Sequence, residues 1–195
     1  MTTPATGGKA PERADGRIAL VTGANKGLGR EIVRRLGALG MTVLAGARDP
    51  ERGRRAVAAL RDTYEVNVFG VVAVTNAMLP LLRQSPAARV VNLSSPLGSL
   101  ALHADPASQI ADVRLLAYNS AKAALNAITL MYANQLRGTG ILVNAVNPGY
   151  VATDLNQHQG TLTVQQGAIV PVQAATLAGD GPTGAFLGAD GPLPW

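Results

Sequence analysis

The chain has 195 residues, 47% hydrophobic and 4% aromatic, with no cysteine and a net charge of +5. That length fits one domain with a sizeable core, and the lack of cysteine excludes disulfides and thiolate metal sites. Residues 1–61 hold twelve Lys/Arg against five Asp/Glu and residues 62–195 five against seven; no aromatic residue lies among those arginines, so a base-stacking nucleic-acid platform is missing and an anionic cofactor explains the asymmetry with fewer assumptions.

Residues 1–16 are polar and rich in Pro and Gly, which reads as a flexible tail rather than an export signal. No apolar run approaches the ~20 residues of a membrane span, so the expectation is a cytoplasmic protein with one domain over residues 17–195. Five short runs have the length and β-branched content of buried strands: 18–21, 42–45, 89–93, 141–146 and, more weakly, 185–187. Helical patterns alternate with them. Leu28, Ile32, Val33, Leu36 and Leu39 form an apolar stripe that ends at Gly40, a C-cap residue. Residues 51–60 are basic and amphipathic, and part of this charge belongs to solvated helix faces. Residues 64–82 carry Val68, Val71, Val72, Thr75, Leu79 and Leu82 on one side. Residues 117–136 have Leu125, Ile128, Tyr132 and Leu136 at helical spacing, and Thr163 with Gln166 reads as a capping box. Such alternation predicts an α/β fold, a three-layer, doubly wound (Rossmann-like), mainly parallel sheet.

Thr22, Gly23, Ala24, Asn25, Lys26, Gly27, Leu28 and Gly29 follow the first strand and open the first helix. Glycines there let backbone approach a phosphate, and the helix N-terminus presents free N–H groups. Lys26 within this loop and Arg48 after the second strand suit the 2′-phosphate of NADP(H) over NAD(H).

Tyr118 and Lys122 are four residues apart, in a chain with three lysines against fourteen arginines. Residues i and i+4 share a helix face, so the ammonium can lie beside the phenol oxygen and lower its pKa from ~10. A phenol tuned toward neutrality is a general acid or base. The alternative is a surface tyrosine beside a solvated lysine.

Together these residues resemble the short-chain dehydrogenase/reductase family and its carbonyl-reductase-like branch. The glycine loop is similar to the family's Thr-Gly-x-x-x-Gly-x-Gly, and Tyr118-x-x-x-Lys122 to its catalytic dyad. Ser95, at the end of Val91-Asn92-Leu93-Ser94-Ser95, takes the place of its catalytic serine, and Asn67 that of its tetrad asparagine. The segment from Asn147 to Thr153 resembles the Pro-Gly stretch whose backbone and threonine contact the nicotinamide, which adds Pro148, Gly149, Val151 and Thr153 to the cofactor-binding set. The resemblance implies hydride transfer between NADPH and a carbonyl or alcohol substrate. In it Tyr118 is the acid/base, Ser95 holds the oxygen, Lys122 lowers the tyrosine's pKa and binds ribose, and Asn67 holds a relay water. Family dimers pack the helices that here cover 64–82 and 117–136, so a homo-oligomer is one expected partner, although the long insert before Tyr118 lies toward that face. His103 and His158 are isolated, and no metal site is expected.

One departure stands out. Only eighteen residues separate Arg48 from Asn67, where the family places its third and fourth strands, so roughly fifty residues are missing. Unpaired strand edges are costly, which predicts that strand 89–93 moves beside strand 18–21 and gives the order 2-1-3-4-5. The competing reading is an impaired or inactive remnant that binds a nucleotide or a protein partner.

Overall fold

Every strand expected from the sequence forms, and those that follow a helix pair in parallel, as strand–helix alternation dictates. The structure is a computed structural model that describes residues 18–22, 27–38, 40–46 and 60–195. It divides the chain into two units, Met1–Arg55 and Ala56–Trp195.

In the first unit, β1 (Ile18–Thr22) pairs in parallel with β2 (Thr42–Gly46), in register from Ile18↔Thr42 to Thr22↔Gly46. The crossover is α1 (Gly27–Ala38). It ends as its C-cap glycine predicts: Gly40 has φ 83°, its N–H donates to Gly37 O at 3.0 Å, and the Met41 N–H donates to Leu36 O at 3.2 Å. The solvated face is present, with Glu31 accepting from Arg34 at 2.7 Å and Arg35 at 2.8 Å, and both arginines exposed.

The second unit opens with α2 (Leu60–Leu82), whose residues Glu65–Phe69 form a π-helical turn and which holds Pro80 near its end. Then come β3 (Arg89–Leu93), α3 (Leu100–Ala104), α4 (Leu116–Gln135), β4 (Leu142–Val146), α5 (Val164–Gly167), α6 (Ile169–Ala175), β5 (Phe186–Gly188) and β6 (Gly191–Pro192). The sheet order is β3-β4-β5-β6, parallel except for the last pair. Side chains alternate across it. Val90 and Val143 pack with Val72, Leu79, Tyr132 and Leu136 of α2 and α4, whereas Val91, Val146 and Leu187 pack with Val170 and Ala174 of α6. Helices on both faces of a mainly parallel sheet are the expected three-layer arrangement. The capping box also forms, with the Thr163 N–H donating to Gln166 Oε1 at 2.8 Å and Thr163 Oγ1 accepting from the Gln166 N–H at 3.2 Å.

Three expectations are corrected. The order 2-1-3-4-5 does not occur, because β1 pairs with β2 and β3 with β4 in separate sheets. The β1–β2, β3–β4 and β4–β5 neighbours of that order form and its β1–β3 pairing does not; on the edge of β3 away from β4, the Leu93 carbonyl accepts from Lys122 Nζ instead. Second, α2 begins at Leu60 rather than Tyr64, and its 23 residues make it long and apolar enough to cross a membrane, by length and composition only. One face packs into the core through Val68 and Thr75 while Val66, Phe69, Val74, Met78 and Leu81 are exposed. Third, β6 was not foreseen. The basic stretch 51–59 lies outside the described residues.

Candidate active site

The site grows from the end of β3. Alternate residues of a strand offer their N–H and C=O to opposite edges. The Ser94 N–H donates to Val146 O at 2.8 Å and Ala88 O accepts from Leu142 N at 3.2 Å, so the even-numbered residues face β4. Leu93 therefore points its carbonyl to the opposite edge, where no described strand pairs. After it the chain turns: Ser95 is extended, at φ −154° and ψ 149°, and its Oγ accepts from the Leu97 N–H at 3.2 Å. The turn Pro96–Gly98 then presses on α4. A Cβ on Gly98 would lie 2.7 Å from the Lys122 carbonyl carbon and 2.8 Å from its Cβ, so only glycine allows this approach.

The turn brings the Ser95 hydroxyl close enough to the Tyr118 phenol of α4 to pull its pKa down. Burial nevertheless dominates and pushes the Tyr118 phenol above its ordinary pKa, with the Ser95 hydroxyl pulling the other way. The net direction is upward, so the phenol is not tuned toward neutrality as the i, i+4 spacing with Lys122 predicts. The Lys122 Nζ lies over the ring, 5.6 Å from its centroid, and donates to Leu93 O at 2.7 Å. Lys122 is 8% exposed, and burial lowers its own pKa to about 8. The burial that raises the phenol is a tertiary effect, invisible in the i, i+4 spacing.

Asn67 sits in the π-helical turn of α2, with Nδ2 donating to Thr63 O at 2.9 Å. That turn packs against α4, the helix that carries Tyr118 and Lys122. Beyond β4, Asn147 Oδ1 accepts from the Gly149 N–H at 2.9 Å and fixes the turn at Pro148. Val151 bridges to Leu162, and the Thr153 N–H donates to Asn156 Oδ1 at 3.1 Å. In the first unit Thr22 ends β1 and Gly27, Leu28 and Gly29 form the first turn of α1. Gly23, Asn25, Lys26 and Arg48 lie outside the described residues.

A cavity of about 430 Å³ lies beneath the insert that precedes Tyr118, lined by Leu97, Leu100, His103, Val113, Leu116 and Asn119 among others. Neither Ser95, Tyr118 nor Lys122 lines it, so it is separate from this cluster. His103 Nε2 is 3.1 Å from Leu97 O and 3.3 Å from Asn119 Nδ2, and no metal-holding group occurs among the described residues.

Sequence reasoning missed Asn126. It is 3% exposed, and its amide bridges two points of the Ser95 turn: Oδ1 accepts from Ser94 Oγ at 2.5 Å and Nδ2 donates to Gly98 O at 3.2 Å. Its position four residues after Lys122, on the same helix face, was the available signal.

Residues 17–64 and 56–162 match the family model described as short chain dehydrogenase. The chain is 28% identical to "Short-chain dehydrogenase/reductase 1" of Saponaria officinalis over 286 residues, covering 89% of this chain and 94% of the relative. It spans about half the length of other curated relatives that it matches. Among solved structures, the carbonyl reductase Sniffer of D. melanogaster superposes with a TM-score of 0.62 at 21% identity, over 93% of this chain and 100% of that one. An NADPH-bound carbonyl reductase from chicken fatty liver gives 0.60 at 22%, over 92% and 94%.

Proposed function

The chain belongs to the short-chain dehydrogenase family of oxidoreductases, and on that premise we propose that it is an NADP(H)-dependent reductase of small carbonyl compounds with Tyr118 as its acid. The observation that carries this reading is the Lys122 ammonium over the Tyr118 ring, 5.6 Å from its centroid, with the Ser95 hydroxyl acting on the same phenol. The donor set fits a nucleotide: among the described residues Lys122 Nζ has one hydrogen-bond partner, Leu93 O, which leaves two of its three N–H groups for ribose hydroxyls. Thr22, Gly23, Asn25, Lys26, Gly27, Leu28 and Gly29 would hold the pyrophosphate, Arg48 the 2′-phosphate, and Pro148, Gly149, Val151 and Thr153 the nicotinamide end. When bound, the reduced nicotinamide supplies the hydride.

The chain's own groups then handle the oxygen. Ser95 holds the substrate oxygen by a hydrogen bond, and as negative charge develops there Tyr118 gives up its proton to it. Lys122 keeps a positive charge over the phenol ring and stabilises the phenolate that remains. Asn67 stands in the family's position for relaying a proton back toward Lys122. A phenol whose pKa burial has raised keeps its proton through the neutral range, which suits the acid of a reduction better than the base of an oxidation.

The experiment is NADPH oxidation followed at 340 nm over a panel of aldehydes, ketones and quinones. The expected result is turnover with at least one substrate, lowered about 10²–10⁴-fold by Tyr118→Phe with cofactor affinity retained. Cofactor binding without turnover on any substrate would overturn it in favour of an inactive nucleotide-binding protein.

A further inference from the structure

Four polar residues of α4, Tyr118, Lys122, Asn126 and Thr129, fall within roughly 80° of one helix face. The three that follow Tyr118 are each committed to the end of β3 or the turn after it. Lys122 Nζ donates to Leu93 O, Asn126 joins Ser94 Oγ to the carbonyl of Gly98, and Thr129 Oγ1 accepts from Asn92 Nδ2 at 2.8 Å. Asn126 differs from its neighbours in what it brackets. Its two partners lie on either side of Ser95 in the chain, one residue before and three after.

We propose that Asn126 is a positioning residue: by tying the Ser94 hydroxyl and the Gly98 carbonyl to α4, it fixes the Ser95 turn in register with the helix and so holds the Ser95 hydroxyl against the Tyr118 phenol. The geometry gives the amide one orientation. Oδ1 faces a hydroxyl and Nδ2 faces a carbonyl, and exchanging the two would set a carbonyl against a carbonyl. Ser94 is 4% exposed and Ser99 fully buried, so water cannot stand in for a lost partner. Gly98 already touches the backbone of Lys122. The turn is thus held from two sides, by steric contact at Lys122 and by hydrogen bonds at Asn126. Without the second, the loop can slide along α4 and separate Ser95 from Tyr118.

The mechanistic meaning of this role rests on the reductase reading, but the role is testable without turnover. With ¹³Cζ-labelled tyrosine, the Tyr118 resonance at pH 7 is identified by its loss in Tyr118→Phe. Its position without the Ser95 hydroxyl is taken from Ser95→Ala. The expected result is that Asn126→Leu moves the resonance at least about halfway toward the Ser95→Ala position, whereas Thr129→Val, which breaks a polar contact of the same stripe away from the turn, leaves it in place. Should Asn126→Leu fail to fold by circular dichroism, Ser94→Ala removes one of the two bonds without added bulk and is read in the same way.

A resonance that stays at its wild-type position in the folded variant overturns the proposal, and so does an equal displacement by Thr129→Val. If the wild-type protein turns over a carbonyl substrate, Asn126→Leu is further expected to lower kcat about tenfold or more with NADPH affinity within about twofold, on the scale by which a ~1 Å misplacement costs ~100-fold. Absence of turnover in the wild type would refute the reductase reading and leave the resonance test standing.

Discussion

The Lys122 ammonium lies 2.7 Å from the carbonyl oxygen of Leu93, on the edge of β3 that no described strand covers. An unpaired edge carbonyl in a low-dielectric setting is costly, and a lysine is one of the devices that blunt a strand edge. The residue in the family's catalytic position is therefore also a cap on the sheet. Burial holds its pKa near 8, below the ordinary 10.5. The unfolded chain binds this proton more tightly, so between about pH 8 and 10.5 stability rises with pH. Urea midpoints of wild type and Lys122→Met, compared from pH 7 to 10, should diverge in favour of wild type as pH rises. Parallel midpoints would mean that the amine is not buried as described.

The same lysine should govern the pH dependence of reduction. Tyr118 is pushed above its ordinary pKa and stays protonated through the alkaline range, while Lys122 discharges near pH 8. The reduction rate is expected to fall above about pH 8, and Lys122→Met should abolish that limb along with most of the rate. A limb near pH 10 or above in wild type would assign the titration to the tyrosine instead.

Gly98→Ala tests how tightly the turn seats on α4. Its Cβ would meet the Lys122 carbonyl carbon at 2.7 Å and the carbonyl oxygen at 2.8 Å. Backbone atoms in the middle of a helix cannot step aside, so overpacking should cost about 1–3 kcal/mol. It should also lower turnover more than NADPH affinity, because the displaced residue adjoins both Ser95 and Lys122. Thermal unfolding with steady-state kinetics checks both. A variant as stable and active as wild type would show that the turn has room to move.

How much of this was legible depended on whether the signal was local. β3 begins and ends at the predicted residues because its apolar run stops at the polar pair Ser94-Ser95, and Thr163 caps its helix because Gln166 stands three residues on. β6 was hidden because Gly191–Pro192 is too short for any periodicity. The π-helical turn at Glu65–Phe69 interrupts no apolar stripe and leaves no mark in the sequence. Asn126 shares the Tyr118–Lys122 helix face, but only the fold brings Ser94 and Gly98 against it. The order 2-1-3-4-5 failed only at its β1–β3 pairing: it assumed that a strand edge must be met by another strand, whereas the Leu93 carbonyl on that edge of β3 is met by the Lys122 ammonium.

Asn144 offers a test of the second unit that does not depend on catalysis. It is 1% exposed in the middle of β4, where Nδ2 donates to Pro182 O at 2.7 Å and Oδ1 accepts from the Ala185 N–H at 2.9 Å. It thereby holds residues 182–185 in place just before Phe186 enters the sheet. Asn144→Leu keeps the volume but strands a buried N–H and a buried C=O, each costing about 1–3 kcal/mol. The chain's single tryptophan reports on the result: Trp195 stacks on Phe186 at 5.6 Å, and its carbonyl accepts from the Ala101 N–H at 2.9 Å. The variant should unfold at lower urea and show shifted native-state tryptophan emission, because Phe186 loses its anchor. A lower midpoint with unchanged native emission would mean that the Phe186–Trp195 stack is held by β5 pairing alone. An unchanged midpoint would mean that neither hydrogen bond of Asn144 contributes to the fold.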